Sequence, residues 1–155
     1  MSAAPALGAG AEWIVEARGC DPARLRSVDV LRELFDRVVR ELALHPVAEA
    51  QWHEFDGAGG VTGLLMLSES HLTVHTFPEH ASACVNLFCC RPREAWDWST
   101  GLRESLGAEA VDVRVLERRY GADVLGRVPA ECGRVPSACG PAAEGRGLPA
   151  EDALD

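Results

Sequence analysis

Lysine is absent from this sequence of 155 residues; all 15 basic side chains are arginines. Pyridoxal phosphate enzymes hold their cofactor as a lysine Schiff base, and lysine-based carbonyl catalysis needs the same amine. Both chemistries are excluded. If the protein does imine chemistry, the electrophilic carbonyl must come from elsewhere in the chain. No Cys-x-x-Cys pair occurs either, so no metal site is expected. The six cysteines are Cys20, Cys84, Cys89, Cys90, Cys132 and Cys139. Without a secretory signal they are expected as thiols, not disulfides. No apolar run approaches the roughly 18 residues of a membrane span. The Ala/Gly-rich stretch Met1–Gly10 lacks the basic and apolar regions of a signal peptide. A cytoplasmic protein with no membrane partner is the expectation. Basic runs with interleaved aromatics are missing too, and the net charge is −9, which argues against nucleic acid as a partner.

What is present fits one domain with a core; an apolar fraction of 47% is ordinary for a globular chain. Glu12–Ala17 reads as a short strand. Asp21-Pro22 is a helix-start pair, with Asp as cap and Pro at the first helical position. Leu31, Leu34, Phe35, Val38 and Leu42 then recur at helical spacing. Arg32, Glu33, Asp36, Arg37, Arg40 and Glu41 take the other face, until His45-Pro46 ends the helix. Val47–Phe55 reads as a strand, Asp56–Gly60 as a glycine-rich turn, and Val61–Leu67 as a buried strand. In His71–Thr76, alternation puts Leu72, Val74 and Thr76 on one side and His71, Thr73 and His75 on the other. In Ala83–Cys90 it separates Cys84, Asn86, Phe88 and Cys90 from Val85, Leu87 and Cys89. Pro92–Leu106 reads as a second helix stopped by Gly107, and Ala110–Leu116 as a half-exposed strand. The order β-α-β-β-β-β-α-β predicts an α+β fold: a two-layer α/β sandwich, its sheet mainly antiparallel, with two helices on one face. Residues 1–120 form this domain. Residues 121–155, dominated by Gly, Pro, Ala and Glu, read as a disordered tail.

Chemistry-bearing residues concentrate in Gly60–Cys90, where three histidines, two glutamates and three cysteines fall within 31 residues. Singly, each reads as a structural residue of a hairpin region. The run Ser68-Glu69-Ser70-His71 between two apolar strands is different, because it lacks the glycine or asparagine that a tight hairpin prefers. A Ser/His/Asp hydrolase would frame its nucleophile in a Gly-x-Ser-x-Gly elbow, and none surrounds Ser68 or Ser70.

The run resembles the proenzymes of the prokaryotic S-adenosylmethionine decarboxylases. Their hallmark is an apolar strand, then Ser-Glu-Ser-His, then His-Thr-Trp-Pro-Glu, then a strand ending in Phe-Thr-Cys. The matching residues are Ser68-Glu69-Ser70-His71, His75-Thr76-Phe77-Pro78-Glu79 and Phe88-Cys89-Cys90, and the likeness extends from about Glu12 to Tyr120. It implies a self-processing, pyruvoyl-dependent enzyme. Ser70 attacks the Glu69 carbonyl, the ester eliminates to dehydroalanine, and hydrolysis leaves a pyruvoyl group on residue 70 and ammonia. Residues 1–69 become the β chain and those from 70 the α chain. His75 matches the base that takes the α-proton, and a histidine titrates near working pH. Thr62 matches a family serine that supports processing through its hydroxyl. The pyruvoyl carbonyl then takes up the substrate amine and serves as the electron sink when CO₂ leaves, as pyridoxal phosphate does elsewhere. Cys90 matches the family's proton donor, and Cys89 stands where a threonine is usual. Phe55 and Phe77 match the aromatics that sandwich the adenine, and Glu79 the glutamate on the ribose hydroxyls. The product would be decarboxylated S-adenosylmethionine, the aminopropyl donor for spermidine. A homodimer of processed protomers, whose sites draw on both chains, is also implied.

Departures from the pattern gather around substrate handling: Phe77 for tryptophan, His80 for an aromatic, Asn86 for a common aspartate and Arg91 for a glycine. Two other readings therefore stand beside the first. One keeps the pyruvoyl mechanism but decarboxylates arginine or ornithine. The other is a non-enzymatic relative that no longer processes.

Overall fold

The structure, a computed structural model, describes residues 9–120; the predicted tail at 121–155 lies outside the described residues. In chain order the elements are β1 (Ala9–Arg18), α1 (Pro22–Leu25), α2 (Val28–Glu41), β2 (Gln51–Glu54), β3 (Val61–Leu67), β4 (Ser70–Phe77), a 3₁₀ turn (Pro78–His80), β5 (Ser82–Cys89), α3 (Trp98–Leu106) and β6 (Ala110–Arg119). The strands form one antiparallel sheet in the order β2-β3-β4-β5-β1-β6. The helices cover one face, giving the predicted two-layer α+β sandwich.

Period-2 alternation decides which side chains meet the helices. Trp13, Val15 and Ala17 of β1, Val61, Leu65 and Leu67 of β3, Leu72 and Val74 of β4, and Val85, Leu87 and Cys89 of β5 are buried in one cluster. Leu31, Leu34, Phe35 and Val38 of α2, with Trp98, Leu102 and Leu106 of α3, complete it. Thr76 is the polar member: its hydroxyl donates to the Leu25 carbonyl at 2.8 Å and accepts from the Val61 N–H at 2.9 Å, joining α1 to the β3–β4 pair. No helix among the described residues is long and apolar enough to cross a membrane.

The outer strands β1 and β6 run longer than the sequence reading, to Ala9–Arg18 and Ala110–Arg119, and three other elements differ more. The first helix is broken in two, because the Ser27 side chain accepts from the Val30 N–H at 3.3 Å and starts α2 afresh. The strand expected over Val47–Phe55 is shortened to Gln51–Glu54. The helix expected from Pro92 begins only at Trp98, where the Asp97 side chain caps the Thr100 N–H at 3.1 Å. It stops as expected at Gly107, whose φ of +72° suits glycine.

Gly63 sets the seat of β2. A Cβ there would stand 2.3 Å from the Trp52 ring, and that ring packs on Phe35 of α2 with centroids 5.0 Å apart. The absent side chain lets β2 lie against both the sheet and the helix. Gly63→Ala is therefore expected to push Trp52 off Phe35 and cost about 1–3 kcal/mol. Urea unfolding should show a lower midpoint at unchanged slope.

Candidate active site

Leu67 and Ser70 pair across the β3–β4 hairpin, so Ser68 and Glu69 alone make its turn. The favoured two-residue turns need positive φ at the first central position, usually on Gly, Asn or Asp. Neither Ser68 nor Glu69 has it. The non-glycine residues of positive φ among those described are Ala43, Ala81 and Ser70, with Ser70 at +147°. Such a torsion costs an ordinary side chain about 1–3 kcal/mol. The strain thus sits on the residue that the motif singles out, immediately after the Glu69–Ser70 peptide bond.

Both ends of Glu69 are held. Its backbone carbonyl accepts the Cys90 N–H at 2.8 Å. Its side chain, 7% exposed, accepts from the His45 backbone N–H at 3.2 Å, from Ser68 Oγ at 3.2 Å and from Arg93 Nη2 at 3.2 Å; His45 Nδ1 lies 2.5 Å from Oε1. Burial pushes this carboxyl up, but the hydrogen bonds from the His45 side chain and backbone and from Ser68 outweigh it and hold it down at about 2. A group depressed in this way contributes its full stability above the ordinary carboxyl value of about 4.3, and loses it as pH falls from there through 2. The turn is therefore fully anchored at neutral pH. Ser70 Oγ shares a hydrogen bond with His71 Nδ1 at 3.1 Å. The two vicinal cysteines part as the alternation predicts. Cys89 is fully buried, and burial pushes its thiol up to about 11, whereas Cys90 is partly exposed.

The other motif residues assemble at the opposite end of β4. Thr62 and His75 are cross-strand partners, and Thr62 Oγ1 lies 2.5 Å from His75 Nδ1. Phe55 and Phe77 flank the imidazole, with centroids 5.5 and 4.5 Å away. Phe55 is 43% exposed and is no part of the core. Glu79 is exposed in the 3₁₀ turn just beyond. An apolar cavity of about 260 Å³ opens beside His75 on the helix-free face, lined also by Thr62, Cys84 and Asn86. Among the described residues, a cavity beside β2 and one among the helices are larger, and neither is lined by a motif residue. Asn86 donates to Glu12 at 2.9 Å, and it and Arg118 hold that carboxyl below its usual range.

The motif residues thus form two groups. Glu69, Ser70 and Cys90 stand at one end of β4, and Phe55, Thr62, His75, Phe77 and Glu79 at the other. Ser70 and His75 are five residues apart on one strand, about 16 Å at roughly 3.3 Å per residue. One chain does not bring them together. The motif gave no reason to single out His45, His71 or Arg93. His71 was within reach as the neighbour of Ser70, but His45 and Arg93 each lie 24 residues from Glu69 along the chain and carry no sequence signal.

The family described as S-adenosylmethionine decarboxylase matches residues 11–119. The S-adenosylmethionine decarboxylase proenzyme of Geobacillus kaustophilus is 34% identical over 110 residues, covering 70% of this chain and 86% of that protein. That of Caldicellulosiruptor saccharolyticus is 35% identical over 113 residues, covering 70% and 87%. Among solved structures, the crystal structure of the adenosylmethionine decarboxylase from Aquifex aeolicus superposes with a TM-score of 0.61 at 25% identity, over 83% of this chain and 100% of that one. The family match, the relatives and the shared fold agree, and the chain belongs to the S-adenosylmethionine decarboxylase family.

Proposed function

We propose that this chain cuts itself between Glu69 and Ser70 and then decarboxylates S-adenosylmethionine. The observation that carries the reading is the strained Ser70, φ +147°, next to a carbonyl that already accepts the Cys90 N–H at 2.8 Å. That N–H is a fixed donor for the oxyanion that forms when Ser70 Oγ attacks the Glu69 carbon. The O–C bond forms, the C–N bond breaks, and the hydroxyl proton passes to the freed nitrogen, with His71 Nδ1 as a neighbouring acceptor. The residue-70 ester then loses its α-proton, the Cβ–O bond breaks, and Glu69 leaves as a free carboxylate. Water converts the dehydroalanine to the pyruvoyl cap with loss of ammonia. The family is pyruvoyl-dependent in general, and a lysine-free chain has no lysine Schiff base to offer instead. The residues present suit this group: the nucleophile is strained and the carbonyl before it is polarised. Once formed, the pyruvoyl carbonyl supplies the electron sink for decarboxylation.

The remaining residues bind and move protons. Phe55 and Phe77 stack on the adenine, and Glu79 holds the ribose hydroxyls. Cys90 presents its thiol to the substrate carbon as proton donor, a task closed to the core-buried Cys89. His75, oriented by Thr62, takes the α-proton. Because His75 stands about 16 Å from its own Ser70 at strand spacing, the base acts on the partner's Ser70 in a homodimer. A two-fold axis that sets the turn end of each β4 against the His75 end of the other makes two equivalent sites. The acidic chain, of net charge −9, suits a cytoplasmic enzyme. No observation favours arginine or ornithine as substrate, whereas the exposed Phe55, Phe77 and Glu79 suit an adenosyl group.

Four proteins test this: the wild type and three variants. Wild-type protein should run as two fragments with the new chain starting at residue 70, and CO₂ should be released from S-adenosylmethionine but not from arginine or ornithine. Ser70→Ala should stay whole. His75→Ala should also stay largely whole alone, yet be cut when co-expressed with Ser70→Ala, whose chain supplies His75; no rescue would refute the shared site. Cys90→Ala should still be cut, because the oxyanion donor is a backbone N–H, while turnover falls about 10²–10⁴-fold. An uncut Cys90→Ala would show that the side chain, not the amide, serves processing.

A further inference from the structure

Arg93 has no part in the motif or in the reaction above, yet it joins three segments at the scissile turn. It lies in the irregular stretch between β5 and α3, with its side chain 22% exposed. Nη1 donates to the carbonyls of Leu42 and, at 3.4 Å, Ala43, just past the end of α2. Nη2 donates to Glu69 Oε1 at 3.2 Å. His45, three residues after Leu42, takes the same carboxylate through its N–H and its ring. The Ser68 N–H donates to the His45 carbonyl at 2.9 Å. The turn is thus laced to the end of α2, and Arg93 is the cross-brace.

This bracing decides where the hairpin's mismatch falls. The carboxylate pins Glu69 towards α2, and the Cys90 N–H pins its carbonyl towards β5. One residue later β4 is paired on both sides, Ser70 with Leu67 and with Cys89. Between the fixed peptide plane and the fixed strand lies the N–Cα torsion of Ser70, and it takes the unusual value of +147°. If Glu69 were released, the peptide plane could rotate, the torsion could relax, and the carbonyl could leave its donor.

We propose that Arg93, acting through the Glu69 carboxylate, is a positioning residue for self-cleavage, holding the Glu69–Ser70 peptide in the strained, carbonyl-polarised geometry from which Ser70 Oγ attacks. The proposal rests on the self-cleavage reading above. The arginine takes no proton and touches no reacting atom. Its effect falls on the first step, the shift of the acyl group from nitrogen to oxygen. A lysine would keep the charge but lose the fork that spans carboxylate and carbonyls.

The test follows the cut from the moment of cell-free synthesis in wild type, Arg93→Met, Arg93→Lys, Glu69→Gln and the double variant Arg93→Met/Glu69→Gln. Arg93→Met is expected to slow the cut about tenfold or more, the scale of one hydrogen bond to a charged group, with Arg93→Lys in between. The double variant should be no slower than its slower parent, because both changes break one contact. Hydroxylamine, which cleaves an ester and spares an amide, should not speed the cut in Arg93→Met, since no ester accumulates. An unaltered rate in Arg93→Met, multiplicative slowing in the double variant, or a burst of hydroxylamine cleavage would each overturn the proposal. If Arg93→Met does not fold, Glu69→Gln, which keeps the side-chain volume, carries the same rate and hydroxylamine readings. An uncut wild type overturns the self-cleavage reading and this one with it; a cut wild type with unaffected variants overturns only the role of Arg93.

Discussion

The molecule turns on a single mismatch: a two-residue hairpin built from Ser68 and Glu69, neither of which adopts the positive φ that such a turn favours. Most hairpins would resolve this with glycine or asparagine. Here the flanking strands are locked in register and Glu69 is held at both its carbonyl and its carboxylate. The deviation has nowhere to go but Ser70. Strain of this size persists only where the surroundings over-determine it, and the core supplies that rigidity. Leu67 and Leu72 on either side of the turn are buried, as is Cys89 opposite.

The same strand that carries the strain also spaces the chemistry. β4 keeps Ser70 and His75 five residues apart, near opposite ends, and its alternation turns His75 to the helix-free face while Leu72 and Val74 anchor the core. The helix-free face is not a smooth polar surface. It carries Leu64 and Met66 exposed on β3, the aromatic group around His75, and ion pairs joining β1 to β6, such as Arg114 to Glu16 at 2.5 Å. A second protomer would find apolar contact and charge there together.

Much of this was legible in the sequence because alternation is a strong signal wherever one face of a strand is buried. The split of Cys89 from Cys90, and of Leu72, Val74 and Thr76 from His71 and His75, could be read directly. The break after Leu25 could not, because Ser27 is as ordinary inside a polar helix face as at a cap until its side chain is seen bonding Val30. The late start of α3 escaped for the opposite reason: Pro92 is a good helix starter, but the cap that starts the helix is Asp97, whose side chain bonds the Thr100 N–H. The site was legible as a list of residues through its motif spacing, not as a geometry. Ser70's torsion and Glu69's partners depend on contacts 24 residues away in sequence, and no local pattern encodes them.

The sheet order has a consequence for a chain cut between Glu69 and Ser70, as proposed above. Residues before the cut supply β1, β2 and β3, and those after it supply β4, β5 and β6, yet the spatial order is β2-β3-β4-β5-β1-β6. The strand β1 from the first fragment is therefore sandwiched between two strands of the second, with full ladders on both sides. The fragments are interdigitated, and neither can leave without dismantling the sheet. Folding before the cut would join β1 to β5 and β6 within one chain. Unfolding afterwards releases two pieces that must find each other by diffusion and re-thread. The matured protein's persistence is then a matter of how slowly it opens, not of an equilibrium it can revisit.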